Sequence, residues 1–90
     1  YKNENISFFI MNQNQKLIAV VNESKIGNYK KGEQIGTLTK TSLPNIYKAT
    51  WKDPEGKKVE TTAYFDEAGN LNVDINRNGK IEVVVFQIEN

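Results

Sequence analysis

The sequence predicts an all-β protein, a small antiparallel meander of about seven strands that curls into a barrel or a two-sheet sandwich. Turn signals at residues 53–56, 66–70 and 76–79 fall at short intervals between β-rich runs. Each contains Gly or Asn, which adopt positive φ readily, and the last ends in an Asn-Gly pair that favours a two-residue hairpin. No segment has the apolar spacing of a helix. A lipocalin-like barrel and an OB-like barrel are the alternatives within this class.

The first two predicted strands, 6–11 and 16–22, are apolar runs separated by the polar residues 12–15. A connection rich in Lys and Gly, 23–33, leads to the third strand, 34–40, and could hold a single helical turn. Pro44 then marks a turn before the fourth strand, 46–52, because proline cannot continue a central ladder. The glycine-containing turns delimit the last three strands, 57–66, 70–76 and 80–89. The 90 residues therefore make one domain with a single core.

Strands four and six each have one apolar and one polar face, as expected for a sheet with one side on the core. Strand four places Tyr47, Ala49 and Trp51 on the same side. Strand six alternates Leu, Val and Ile with Asn and Asp over residues 71–76. This alternation predicts which side of the sheet is buried.

Strands one, two and seven are apolar on both faces, which predicts that both faces are covered. A β-bulge near Val84 could switch the phase within strand seven. Alternatively, the three strands lie together, and their second face packs on the same chain or on a second copy. The second interpretation predicts a partner-binding surface made of Phe9, Met11, Ile18, Val20, Val84 and Phe86.

The chemistry of the chain argues against an enzyme. It contains neither His nor Cys, which excludes imidazole acid–base catalysis, catalytic triads, disulfides and thiolate metal sites. Residues 74–81 match the first eight positions of an EF-hand calcium loop, but the twelfth position, which needs a bidentate acid, is Val85. Glu60 and Glu82 are placed in the outward phase of their strands, with no sign of a cleft. We therefore predict no catalytic residue, no metal and no cofactor.

Two other ligand classes stay open. Residues 25–58 hold eight Lys and three acidic residues, and their outward face could follow single-stranded nucleic acid, as OB-like barrels do. The residues of this lysine face are Lys48, Thr50, Lys52, Lys57, Lys58 and Tyr64. The net charge of +1 and the single Arg disfavour nucleic acid. Tyr47, Trp51 and Phe65 share an interior phase that could hold a small apolar ligand.

The interpretation that the sequence favours is a non-catalytic binding or accessory domain that acts through a protein–protein surface, by self-association or with a protein partner. The chain begins at Tyr1 instead of Met, and eleven of its twelve basic residues are Lys. We therefore expect a mature or trimmed fragment of an exported bacterial protein, from the cell envelope or the extracellular space. No apolar run reaches the ~20 residues that a membrane-spanning helix needs.

Overall fold

The computed structural model describes residues 1–53, 55–77 and 79–88. They form a single antiparallel sheet, paired in the order of the sequence and curled into a half-barrel. The strands are β1 (Ile6–Gln13), β2 (Lys16–Ser24), β3 (Gln34–Lys40), β4 (Ile46–Lys52), β5 (Lys58–Phe65), β6 (Leu71–Arg77) and β7 (Lys80–Phe86). The predicted all-β meander is confirmed, and its single sheet corresponds to the barrel alternative and not to the two-sheet sandwich. The described residues contain no helix of the length and apolar character that a bilayer crossing requires.

β1 and β2 extend further than the sequence indicates because the turn between them takes only two residues. Asn14 and Gln15 both adopt positive φ, 51° and 67°, as a tight hairpin between twisted strands requires. Residues 12–13 therefore pair within β1. The connection before β3 consists of turns, without the helical turn considered above. β7 ends at Phe86, whereas Asn78 of the predicted hairpin turn and Glu89 of the predicted strand lie outside the described residues.

The concave face of the sheet holds the core. β4 and β6 bury the apolar face predicted for them, and β1 and β2 add one face each. The connection between β2 and β3 contributes a single buried ring. The buried apolar residues are Ile6, Phe8, Ala19, Val21, Tyr29, Ile35, Leu38, Ala49, Trp51, Ala63, Leu71, Val73, Ile75 and Phe86.

β7 has the opposite phase to the one that the sequence indicates, because Val84 packs against the core and Phe86 is buried. The register between β6 and β7 dictates this phase, since it pairs Arg77 with Lys80 and Leu71 with Phe86. The pairing of β6 with β7 is regular over the described residues, so the bulge considered near Val84 does not occur there. Register shifts lie instead within the β1–β2 and β2–β3 pairs.

Tyr1 and Lys2 join the two outer strands at one end of the half-barrel. Lys2 pairs in the antiparallel sense with Ser7, at the start of β1, and with Gln87, directly after β7. Its N–H donates to the Gln87 carbonyl at 2.8 Å, and the Gln87 N–H donates back at 2.7 Å. The Tyr1 amino group donates to the Phe8 carbonyl, and the Phe8 N–H donates to the Tyr1 carbonyl. β1 and β7 themselves are not paired with each other.

Gly36 leaves room for the Trp51 ring on the neighbouring strand. The two residues are direct cross-strand partners, and Trp51 is fully buried. A Cβ atom at position 36 would overlap the indole atoms Cε3 and Cζ3. The largest side chain of the core thus depends on the absence of a side chain at position 36.

Gly36→Ala is expected to lower the free energy of unfolding by at least about 1–3 kcal/mol, the usual cost of overpacking a core. The matched control Gly27→Ala should change it by less than about 0.5 kcal/mol, because no atom lies within 4 Å of a Cβ at position 27. Urea unfolding followed by Trp51 fluorescence measures both variants. Equal stability of the two would contradict the contact between Gly36 and the indole.

Candidate functional site

Exposed apolar side chains concentrate on the two outer strands or directly after β7. Among the described residues, Leu43 is the one large hydrophobic residue that is exposed elsewhere. The others are Phe9 (55% exposed), Met11 (56%), Ile81 (71%), Val83 (52%), Val85 (43%) and Ile88 (42%). Single exposed apolar residues need no explanation, whereas contiguous ones mark a contact surface.

The first of these surfaces, the β1–β2 patch, consists of Phe9, Met11, Ile18 and Val20. Cross-strand pairing sets Phe9 against Val20 and Met11 against Ile18, so the four side chains share the convex face. Phe9 and Met11 are exposed, and Ile18 and Val20 are half-buried. The structure therefore brings together four of the residues that the sequence assigns to a partner-binding surface.

The second surface, the β7 stripe, consists of Ile81, Val83 and Val85. The partner-binding surface predicted from the sequence takes Val84 and Phe86 from this strand instead, and that part of the prediction is wrong, because both residues face the core. A signal that identifies the stripe is nevertheless present in the sequence. A two-residue Asn-Gly turn fixes the hairpin register, and the clear inner face of β6 then fixes the inner face of β7.

β7 also has free hydrogen-bonding groups along its outer edge. In a two-residue hairpin the residues that flank the turn bond each other, so Lys80 and every second residue after it bond to β6. The N–H and C=O groups of the β7 stripe then point away from β6. Gln87 continues this phase, and its N–H and C=O groups bond to Lys2. The edge can thus take another antiparallel strand at the residues that carry the stripe.

A cleft of about 360 Å³ opens between β7 and the turn at residues 3–6, where the two outer strands are not paired. Apolar and aromatic residues, Trp51 among them, line it together with Asn3, Glu4 and Asn5, and Val83 and Val85 of the β7 stripe also contribute. The Tyr29 hydroxyl donates a 2.5 Å hydrogen bond to the Lys52 carbonyl and so fixes this connection against β4. The main residues of the wall are Ile6, Ile26, Tyr29, Ile75, Val84 and Phe86.

The three aromatic residues assigned to a small ligand do not form one site, because two of them pair with each other and the third lies in a different ring cluster. Tyr47 and Phe65 form a T-shaped pair with ring centroids 5.6 Å apart, and Tyr1 packs on Phe65 at 5.9 Å. Trp51 instead belongs to a ring cluster with aromatic residues of β1 and β7. Of the three, Trp51 alone lines the cleft.

One residue of the lysine face, Lys52, forms an ion pair with Glu33. Lys52 Nζ lies 2.6 Å from Glu33 Oε2 and 2.6 Å from the Asn28 carbonyl oxygen. The hydrogen bond from Lys52, together with one from the Lys30 N–H, holds the pKa of the Glu33 carboxyl below its ordinary value. Lys52 is therefore engaged within the chain. The other residues of the face are Lys48, Thr50, Lys57 and Lys58, which are exposed, and Tyr64, which is half-buried.

Glu60 and Glu82 do not share a face of the sheet, contrary to the phase assigned from the sequence. Glu60 pairs with Thr50 on the convex side, whereas Glu82 lies opposite Ile75, a core residue of β6. Across the part of the chain that the structure describes, no three Asp or Glu side chains cluster as metal ligands would. The two carboxylates are thus not arranged as an acid–base pair.

Asp66 organises the turn between β5 and β6. Its Oδ1 accepts hydrogen bonds from the N–H groups of Ala68 and Asn70, and its Oδ2 accepts one from the Asn72 side chain. The bond from Asn72, followed by the backbone bonds, lowers the pKa of the Asp66 carboxyl. Asn70 Oδ1 in turn accepts a 3.1 Å hydrogen bond from the Ile88 N–H. The turn therefore anchors the segment that follows β7.

No protein-family model, curated protein or solved structure matches this chain. Its functional interpretation therefore rests on the placement of its own residues. That placement singles out the convex apolar surfaces of the outer strands and the cleft between those strands.

Stability is expected to fall at acidic pH, in part through Asp66. Because its pKa is lowered in the folded state, its stabilisation is complete above the unfolded value of about 4 and is lost as pH falls through the folded value. Asp66→Asn keeps the Oδ1 acceptor but cannot ionise. Its free energy of unfolding should therefore depend less on pH between about 5 and 2 than that of the wild type. Urea titrations at several pH values test this, with Glu67→Gln as control, and an unchanged pH dependence would argue against the role of Asp66.

Removal of residues 1–2 should loosen the joined end of the half-barrel. The deletion removes four backbone bonds, to Phe8 and Gln87, and at roughly 0.5–1 kcal/mol net for each it should cost about 2–4 kcal/mol of stability. Hydrogen–deuterium exchange should show faster exchange of the Phe8 and Gln87 amides. Tyr1→Ala, which keeps the backbone bonds but loses the ring contact with Phe8, is the control. If both amides exchange at wild-type rates in the deletion variant, the joining role of these two residues is wrong.

Proposed function

We propose that this chain is a non-catalytic interaction domain that binds protein through the convex faces of its outer strands, and that a second copy is the partner. The observation that carries the proposal is the concentration of exposed apolar side chains on β1 and β7. Both strands lie at the edges of the sheet. An exposed apolar edge strand is a feature that soluble β proteins usually cover or blunt.

Pairing of β7 with a second β7 would give its outward backbone groups hydrogen-bond partners and would also bring side chains of opposite charge together. A second β7 in antiparallel orientation would bond to the outward N–H and C=O groups of Ile81 and Val83. With a two-fold axis at Ile81, Lys80 of one copy would lie opposite Glu82 of the other, so that the charges are complementary. This register uses the part of β7 nearest the turn after β6 and leaves the Lys2–Gln87 pair in place.

The size of the interface predicts weak association. Stable complexes bury about 1,200–2,000 Å² of total surface, and one pair of short strands falls below that range. The β1–β2 patch offers further apolar area on the same convex side of the sheet. Self-association is therefore expected to depend on protein concentration.

The non-catalytic part of the proposal rests on the chemistry of the side chains. The chain has no His and no Cys, and Glu60 and Glu82 lie on opposite faces of the sheet. A bacterial source is proposed from composition alone, since eleven of the twelve basic residues are Lys.

Ile81→Lys is expected to abolish self-association without unfolding the domain, because Ile81 is 71% exposed and a lysine at the two-fold axis would face its own copy. Light scattering over a range of concentrations measures the mass. The matched control is Leu43→Lys, a similar change at an exposed residue away from the outer strands, and it should associate like the wild type. Circular dichroism checks that each variant is folded.

Amide exchange distinguishes strand pairing from other contacts. The Ile81 and Val83 amides should exchange rapidly in dilute solution and become protected at high concentration in the wild type, and the position 83 amide should stay unprotected in Ile81→Lys. A wild-type chain that stays monomeric at every concentration, with rapid exchange at these amides, would rule out self-association.

A further inference from the structure

The cleft between β7 and the turn at residues 3–6 has the dimensions of a small-molecule site. Its volume of about 360 Å³ lies near the lower end of the ~300–1,000 Å³ range of ligand pockets. Ile26, Ile75 and Val84 contribute apolar wall, and Tyr29 and Trp51 contribute rings. Val83 and Val85 of the β7 stripe also line the cleft, whereas Ile81, the residue at the two-fold axis of the proposed dimer, does not.

A second, independent observation concerns Trp51, one of the residues that line the cleft. Its indole Nε1 is buried and has no hydrogen-bond partner, and the residue as a whole is 0% exposed. Buried donors without an acceptor are rare in folded proteins, because no hydrogen bond offsets the free energy lost when the donor leaves water. The opposite edge of the indole, at Cε3 and Cζ3, faces Gly36 on β3. The N–H edge therefore lies on the side of the ring away from Gly36, and Trp51 is one of the residues that line the cleft.

The remaining lining restricts the chemistry of a ligand. Of the described residues that line the cleft, Glu4 alone carries a charge, and that charge is negative. An anionic ligand would find no cation there to offset its loss of hydration. Asn3 and Asn5 also line the cleft, so its wall is polar at the turn and apolar along β7. A lining of this kind, with one unpartnered donor and no cation, matches a neutral molecule with one acceptor.

We propose that the cleft binds a neutral apolar molecule with one carbonyl-type oxygen, which accepts a hydrogen bond from Trp51 Nε1. Because Trp51 has no exposed surface, side chains above the ring must part to admit the oxygen. β7 is the wall suited to that movement. It is paired with β6 on one side, whereas its other edge is joined to the chain through Gln87 and Lys2.

Acetophenone and ethylbenzene test the proposal as a matched pair, since they share a skeleton and differ in the carbonyl group. Trp51 is the single tryptophan of the chain, so one indole N–H resonance reports on the site. Acetophenone should shift that proton downfield in a saturable manner. Ethylbenzene should bind about tenfold more weakly, the order expected for one hydrogen bond to a buried donor, and should produce no downfield shift.

Two variants test whether the acetophenone shift arises from binding in the cleft. Ile26→Phe fills part of the cleft and should abolish the acetophenone shift, whereas Leu43→Phe, the same kind of change at an exposed residue outside the cleft lining, should leave it intact. The titration is repeated on Ile81→Lys, whose substituted residue is not part of the lining, so that loss of self-association and loss of ligand binding are scored separately.

Three results would overturn the proposal. The indole proton does not move with acetophenone up to its solubility limit, or the two probes bind with equal affinity, or the proton lies far upfield in the free protein. The last result would place the N–H over the face of the Phe8 ring, whose centroid is 5.6 Å from that of Trp51, and the donor would already be satisfied by that ring.

Discussion

The contact between Phe8 and Phe86 sets the shape on which the other features depend. These residues belong to the first and last strands of a seven-stranded sheet. In a flat sheet those strands would lie about 29 Å apart, at ~4.8 Å for each step. Their ring centroids are 4.8 Å apart, and Trp51 from the middle strand packs against both. The curvature therefore comes from the burial of three large rings together, because the outer strands are not paired with each other.

The local sequence pattern predicts much of this fold, and the predictions that are wrong have physical causes. The alternation in β4 and β6 and the glycine-containing turns suffice to place those strands and their buried faces. β7 is apolar on both sides, so the phase predicted from its own residues is wrong, and its register with β6 decides instead. The pairing of Lys2 with Gln87 joins residues from opposite ends of the chain and involves too few residues to create a pattern. The partners of Trp51 could not be predicted either, since they depend on how far the sheet curls.

β7 contributes to both candidate surfaces because successive side chains of a strand point in opposite directions. Val84 and Phe86 line the cleft from the core side, and Val83 and Val85 belong both to its lining and, with Ile81, to the convex stripe. A partner strand bonded to its edge would restrain the same backbone that must move to open the cleft. If both proposals hold, the two proposed binding events should influence each other through this one strand, without a longer pathway.

The pairing of Lys2 with both Ser7 and Gln87 matters because the sheet has an odd number of strands. An antiparallel meander closes on itself only with an even number of strands, because its first and last members must run in opposite directions. Here the first and last of seven run the same way, so a direct seam between them would need a parallel ladder. The N-terminal dipeptide lies antiparallel to both and serves as a rudimentary eighth strand. The first and last strands are thus joined through Lys2 alone and are separate along the rest of their length. The half-barrel therefore has both an accessible interior and two edge strands.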